Sequence, residues 1–113
     1  MIQIYHNPRC GKSRNALSLV VESGKEYEVI KYLEQPPTYD DVVLLLKKLN
    51  LKPLEIVRQK EKIWVENFKN TQMTDEKIVE ALVLYPILIE RPILINGDKA
   101  IIGRSLDKLH AFL

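Results

Sequence analysis

One cysteine in this chain stands where backbone geometry would make its sulfur reactive. Cys10 follows a short alternating stretch, Ile2–Tyr5, that predicts a strand, and it precedes a helical pattern beginning at about Gly11. The unpaired N–H groups and the positive end of the helix dipole would then point at the sulfur. Because the thiolate is the nucleophilic form, this position predicts a reactive thiol. The alternative is a buried and inert cysteine, which is common for an unpaired thiol.

Basic side chains around the cysteine strengthen the prediction of a thiolate. The turn carries four of them: His6, Arg9, Lys12 and Arg14. Each of these side chains is expected to add positive potential, which favours the thiolate. Ser13 stands where a C-x-x-C redox motif would have its second cysteine, and its hydroxyl is expected to hydrogen-bond the thiolate. A hydroxyl cannot resolve a mixed disulfide, however.

The cysteine count restricts the chemistry further. With a single thiol among 113 residues, no intramolecular disulfide and no cysteine-rich zinc site can be built. We therefore expect no metal, and a redox reaction would need thiols from other molecules.

The tripeptide that follows Cys10, Gly-Lys-Ser at residues 11–13, also ends phosphate-binding loops. The motif of those loops, G-x-x-x-x-G-K-[ST], requires Gly at position 6, where this chain has His6. Nucleotide binding is excluded on that spacing.

The elements that would position Cys10 form a recognisable order. A helix up to Ser23-Gly24 and a second strand through Tyr27 and Tyr32 give a βαβ unit with parallel strands. Residues 96–99, Asn-Gly-Asp-Lys, predict an antiparallel hairpin between residues 92–95 and 100–102. Ser105 then begins a final helix. The order βαβ, helices, ββα is that of an α/β thioredoxin- or glutaredoxin-like fold with a mixed sheet.

The middle of the chain reads as a helical insertion over about residues 38–86. Thr38 and Thr74 each precede acidic residues and an apolar helical pattern, which is typical of a helix start. Asn50 is expected to end the first of these helices, and residues 53–68 look helical in pieces. We find no repeat, no Ser/Gly linker and no charge block longer than residues 58–62, so residues 1–113 are expected to form a single domain.

Composition indicates an ordinary globular chain. The 17 Lys and Arg against 15 Asp and Glu leave a net charge of +2, too mild to favour nucleic-acid binding. The longest uncharged apolar stretch, residues 81–89, contains a proline and is about half of what a bilayer span requires. No signal peptide is apparent at the N-terminus, so we expect a cytoplasmic protein without membrane contact.

The segment around Cys10 resembles a known active site. Residues 5–17, Y-H-N-P-R-C-G-K-S-R-N-A-L, are similar to that of the glutaredoxin-coupled arsenate reductases, the ArsC family of thioredoxin-fold proteins, and especially its YfgD-like branch. Three later segments resemble further blocks of that family in the same order: 57–61, 85–93 and 96–104. The resemblance therefore extends over essentially the whole chain.

The resemblance implies which residues carry the chemistry. Cys10 would attack arsenate or a similar oxyanion, which the three arginines of the matching blocks would bind and orient: Arg58, Arg91 and Arg104. Guanidinium groups suit this role because their donors form fixed forks that match tetrahedral oxyanions. His6 would help to lower the pKa of the thiol, and the bond between Arg91 and Pro92 would be cis. Ser105 departs from the proline that commonly follows the last arginine, which leaves the backbone there less constrained.

The function implied is reduction of arsenate to arsenite, with glutathione as co-substrate, glutaredoxin as partner and no bound cofactor. Two alternatives use the same fold. One is an Spx-like regulatory or binding module, although Ser13 removes the C-x-x-C switch that such regulators typically use. The other is a monothiol glutathione-dependent oxidoreductase, in which the arginines would hold the carboxylates of glutathione.

Overall fold

A computed structural model describes all residues, Met1–Leu113, and divides them into two compact units. The first unit combines Met1–Gln35 with Arg91–Leu113, and the second unit is Pro36–Glu90. The predicted insertion, about residues 38–86, lies within the second unit. That the chain forms one domain over residues 1–113 stays a prediction.

Nine regular elements and two short 3-10 helices follow one another along the chain. In order they are β1 (Ile2–Tyr5), α1 (Gly11–Glu22), β2 (Tyr27–Ile30), α2 (Tyr39–Leu49), a 3-10 turn (Pro53–Ile56), α3 (Lys62–Asn67), α4 (Asp75–Leu84), a 3-10 turn (Pro86–Leu88), β3 (Ile93–Asn96), β4 (Lys99–Ile102) and α5 (Leu106–Phe112). The longest helix, α1, has 12 residues. None of the helices has the length and apolar character needed to span a bilayer.

A four-stranded mixed sheet, in the order β2-β1-β3-β4, organises the first unit. β1 pairs parallel with β2 and antiparallel with β3, and β3 and β4 form the predicted hairpin. Ile4 lies opposite Val29 on one side and Leu94 on the other. The α/β class, the mixed sheet and the thioredoxin-like order predicted from sequence are confirmed.

The second strand is shorter than the sequence suggested. β2 ends at Ile30, and the carbonyl of Lys31 accepts the N–H groups of Glu34 and Gln35, which closes a turn. Tyr32 lies in this turn, fully buried, and its ring stacks on Tyr5 at 6.0 Å between centroids. Its burial, rather than strand pairing, explains the apolar character that resembled a longer strand.

Alternate residues of β1 anchor the core of this unit. Ile2 and Ile4 point to one face of the sheet, as the period of a strand requires. Six buried side chains form the cluster there: Ile2, Ile4, Ala16, Val20, Leu94 and Leu109. Because α1 and α5 both contribute to this cluster, the start of α1 is fixed just beyond the end of β1.

Helix α2 begins and ends, and helix α4 begins, where the sequence predicted. The hydroxyl of Thr38 accepts the N–H of Asp41 at 3.1 Å, and the carboxylate of Asp41 accepts the N–H of Thr38 at 2.9 Å, which is a capping box. Asn50 ends α2 in the left-handed conformation, with φ of 57°. Thr74 caps α4 by accepting the N–H of Lys77. These signals are local, and tertiary packing did not override them.

Gly103 lies where the backbone approaches the core too closely for a side chain. Its N–H donates to the carbonyl of Pro92 at 2.8 Å. A Cβ at this position would lie 2.8 Å from Leu109 Cδ2 and 3.0 Å from Leu94 Cδ1. The glycine therefore permits the close passage of the chain that leads from β4 into Arg104.

We expect Gly103→Ala to destabilise the protein by about 1–3 kcal/mol, because the new methyl group overpacks the core. Thermal or urea unfolding followed by circular dichroism measures the change. Gly11→Ala is the matched control, since a Cβ at Gly11 would meet nothing closer than Arg14 Nη2 at 3.6 Å. Equal stability of Gly103→Ala and the wild type would contradict the close approach described above.

Candidate active site

Cys10 occupies the N-cap of α1, as its position in the sequence predicted. Its backbone is extended, with φ of −93° and ψ of 122°, and its carbonyl accepts the N–H of Arg14 at 3.0 Å, the first bond of the helix. Its own N–H donates to the carbonyl of Asn7 at 3.0 Å. The side chain is half-buried and forms no disulfide. The sulfur is thus held at the positive end of a helix.

The surroundings of Cys10 lower the pKa of its thiol below the ordinary value. Burial is the largest influence and by itself raises this pKa, but hydrogen bonds and charge outweigh it. The backbone N–H of Ser13, the guanidinium of Arg91 and the backbone N–H of Lys12 each favour the thiolate and lower this pKa, and the charge of Arg91 adds to their effect. The thiolate is therefore favoured, and its guanidinium partner comes from a distant part of the sequence.

The hydroxyl of Ser13 has a different role from the one predicted. Ser13 is fully buried, and its Oγ accepts the N–H of Asn7 at 3.0 Å and lies 2.7 Å from His6 Nδ1. The hydroxyl therefore ties the helix start to the end of β1. The group of Ser13 that stabilises the thiolate is its backbone N–H.

The surroundings of His6 favour the neutral form of its imidazole. Burial, chiefly, and the charges of Lys31 and Arg14 lower the pKa of the imidazole, and a hydrogen bond with Ser13 opposes them only in part. This shift runs against the prediction that His6 adds positive potential. A neutral ring can accept the hydroxyl proton of Ser13 at Nδ1, so the contribution of His6 is a hydrogen bond to the residue that donates to the sulfur.

Arg91 and Arg104 lie next to each other in the first unit. Arg91 is 9% exposed, and its peptide bond to Pro92 is cis, as the resemblance implied. Nη1 of Arg104 donates to the carbonyl of Arg91 at 2.9 Å. Ser105, which replaces the family's proline, accepts the N–H of Lys108 as the cap of α5, so a helix cap fixes the backbone after Arg104.

The register of the sheet explains why these residues meet. Tyr5 pairs with Ile93, and Ile93 pairs with Ile102. The segments just beyond these three residues, which carry His6 to Cys10, Arg91 and Arg104, therefore lie at one edge of the sheet. The structure brings Cys10, His6, Ser13, Arg91 and Arg104 together there.

Arg58 lies in the second unit, where its backbone and its side chain each form a hydrogen bond. Its N–H donates to the carbonyl of Leu88 at 2.7 Å, beside the bridge between Val57 and Ile89. Its Nε donates to Glu61 Oε1 at 3.2 Å, and its side chain is 26% exposed. Its part in binding an anion stays a prediction from the sequence.

Sequence reasoning missed the influence of Lys31 on this site. The predicted parallel pairing of β1 and β2 could have indicated this influence, because parallel pairing places the residue after β2 beside the residue after β1. The N–H of His6 donates to the carbonyl of Ile30 at 2.9 Å, which sets Lys31 next to the imidazole. Its charge is one cause of the lowered pKa of His6.

The fold and the site define a thioredoxin-like protein with one activated cysteine. The ArsC family model matches residues 5–112. Escherichia coli (strain K12) YfgD is 44% identical over 110 residues, 96% of this chain and 92% of that protein. An arsenate reductase of Neisseria meningitidis (strain MC58) is 39% identical over 114 residues, 99% and 97% of the two chains. The solved arsenate reductase from Vibrio cholerae is 36% identical, covers 99% of this chain and 97% of its own, and has a TM-score of 0.93. This chain belongs to the ArsC family.

Arg91→Ala is expected to raise the pKa of the Cys10 thiol, because it removes a hydrogen bond and a positive charge from the thiolate. The rate of alkylation by iodoacetamide, measured between pH 5 and 10, should therefore have its midpoint at higher pH, with a rate at pH 7 at least about 3-fold lower than in the wild type.

Arg9→Ala serves as the control for a general effect of positive charge, since Arg9 is exposed in the same loop. It should leave the alkylation profile close to that of the wild type, because solvent and salt screen an exposed charge. Equal effects of the two substitutions would show that the thiolate depends on diffuse potential rather than on Arg91.

Proposed function

We propose that this protein is an arsenate reductase in which Cys10 is the single nucleophile. The observation that carries the proposal is the lowered pKa of a thiol that shares its surroundings with a buried arginine, Arg91. Relatives named arsenate reductase that align over nearly the whole chain support it. The chemistry that such a site suits is attack on an electrophilic centre that carries anionic oxygens.

The two arginines of the first unit bind the anion in this proposal. Arsenate carries negative charge on several oxygens, and guanidinium groups present donors in a planar fork that matches pairs of such oxygens. Arg91 already donates to the sulfur, so an oxygen bound by it lies close to the nucleophile. The bond from Arg104 to the backbone of Arg91 keeps the second guanidinium at the same place.

In the first chemical step the Cys10 thiolate attacks arsenic, a sulfur–arsenic bond forms and one arsenate oxygen leaves as water after protonation. Arsenic is still pentavalent in this adduct. Charge that accumulates on the remaining oxygens is stabilised by the arginines, which are in place before the reaction. The negative charge on the sulfur, which the backbone N–H groups stabilise in the free thiolate, is lost as the sulfur–arsenic bond forms.

Two external thiols complete the reaction because the chain contains one cysteine. Glutathione attacks the Cys10 sulfur of the adduct, the sulfur–arsenic bond breaks with its electron pair going to arsenic, and arsenite leaves while Cys10 and glutathione become a mixed disulfide. The thiol of glutaredoxin then attacks the glutathione sulfur, which frees the Cys10 thiolate and leaves the disulfide between glutaredoxin and glutathione, so atoms and electrons balance. Glutathione and glutaredoxin are thus the proposed co-substrate and partner, and their supply agrees with a cytoplasmic location.

Cys10→Ser is expected to abolish arsenate reduction, because a serine hydroxyl is not ionised near neutral pH. Turnover is measured with glutathione, glutaredoxin and NADPH-coupled recycling of the oxidised glutathione. Turnover of Cys10→Ser at the wild-type rate would refute the single-cysteine mechanism. No turnover by the wild type, together with rapid reduction of a glutathionylated peptide, would instead favour a monothiol oxidoreductase.

Arg58 is the third anion-binding residue in the proposal, on the strength of its match to the family motif. We expect Arg58→Ala to lower kcat/KM for arsenate about 10-fold or more, because charge-assisted hydrogen bonds are stronger than neutral ones. Steady-state kinetics at several arsenate concentrations measure the change.

Lys60→Ala is the control, since Lys60 is an exposed cation two residues further along. It should leave kcat/KM unchanged within about 2-fold, as expected for a screened surface charge. Equal activity of Arg58→Ala and Lys60→Ala would exclude Arg58 from the reaction.

A further inference from the structure

Asn7 is a buried polar residue beside the nucleophile that the proposed reaction does not use. It lies between β1 and Cys10, and only 3% of its surface is exposed. A buried amide must find hydrogen-bond partners within the protein. The partners of Asn7 therefore show which part of the molecule it holds in place.

Two of these hydrogen bonds close the loop immediately before the thiol. Oδ1 of Asn7 accepts the N–H of Arg9 at 3.0 Å, which forms an Asx turn. The backbone carbonyl of Asn7 accepts the N–H of Cys10 at 3.0 Å, which forms a β-turn over the same residues. The backbone of Cys10 thus enters α1 in a direction set by Asn7.

A third hydrogen bond joins Asn7 to the first turn of α1. The N–H of Asn7 donates to Oγ of Ser13 at 3.0 Å, and the same hydroxyl is bonded to His6. Ser13 is also the residue whose backbone N–H contributes most to lowering the pKa of the Cys10 thiol. Asn7 is therefore linked both to the backbone that carries the sulfur and to the residue that stabilises it.

We propose that Asn7 is a positioning residue that holds the Cys10 sulfur over the N–H groups of Lys12 and Ser13. Its side chain acts through the turn that leads into Cys10, its backbone N–H holds the hydroxyl of Ser13, and it is not itself a donor to the sulfur. The inference rests on the proposed role of Cys10 as nucleophile. Loss of the Asx turn frees the backbone of Cys10, which lengthens the N–H to sulfur contacts and weakens the thiolate.

Two substitutions of different severity test the positioning role of Asn7. Asn7→Ala removes the acceptor Oδ1, whereas Asn7→Ser retains a shorter acceptor that forms the equivalent turn more weakly. We expect the alkylation rate of Cys10 at pH 7 to fall in the order wild type, Asn7→Ser, Asn7→Ala. The rate of Asn7→Ala should be about 5-fold below that of the wild type. The midpoint of the pH profile should rise, and kcat for arsenate should fall, in the same order.

Asn50→Ala is the matched control for a purely structural effect. Asn50 holds a left-handed conformation at the end of α2, so its replacement lowers Tm but should leave the alkylation profile unchanged. A folded Asn7 variant with the wild-type profile would overturn the proposal, and Asn7→Ser decides by the same criterion if Asn7→Ala does not fold. Alkylation requires no arsenate. Absence of arsenate turnover together with the predicted order of alkylation rates would therefore count against the substrate and not against the role of Asn7.

Discussion

The sulfur of Cys10 gains stability as an anion from two sources at once: backbone N–H groups at the start of α1 and the guanidinium of Arg91. Burial of the sulfur opposes both, since a half-buried charge loses hydration. The thiolate therefore depends on donors that are already aimed at it. Backbone N–H groups suit this task because the helix fixes their directions, whereas Arg91 is fixed by its own burial and by the chain that follows it.

The sheet makes this convergence possible. β1 is central and leads into the cysteine loop, while β3 begins just after Arg91 and Pro92. Because β1 and β3 are antiparallel neighbours, the end of one strand lies beside the start of the other. The hairpin then returns the chain through Gly103 to Arg104, and the absence of a side chain at Gly103 allows this return to pass against Leu109. Thus, the core cluster beneath the sheet and the anion-stabilising groups at its edge are parts of one arrangement.

Sequence reasoning succeeded where the determining interactions are local. The capping residues Thr38, Thr74 and Ser105 and the hairpin turn at Gly97 involve neighbours within a few positions, so their residue types suffice to predict them. The position of Cys10 at a helix start was predictable for the same reason. The identities of the arginines came from the resemblance to a family, since spacing alone distinguishes neither Arg91 nor Arg104 from an ordinary surface residue.

Properties that depend on burial and on distant neighbours were beyond such reasoning. The lowered pKa of His6 follows from its burial and from Lys31, just after the neighbouring strand, so an imidazole predicted to be a positive neighbour is shifted towards its neutral form. The hydroxyl of Ser13 looked available to the thiolate, but it is engaged by His6 and Asn7. The role of Asn7 could not be predicted, because a sequence does not show that a side chain is buried. In each case the sequence gives the residue type but does not show which residues contact it.

The central claim is that the Cys10 thiolate is oxidised by way of an arsenate adduct, and mass spectrometry of the intact protein tests it directly. Wild-type protein is incubated with reduced glutathione, with and without arsenate, while glutaredoxin is withheld so that a mixed disulfide accumulates. The account predicts that the intact protein, whose single thiol is Cys10, gains the mass of one glutathione in the presence of arsenate and gains none in its absence. No adduct on a thiol that still reacts with iodoacetamide at neutral pH, or the same adduct without arsenate, would contradict it.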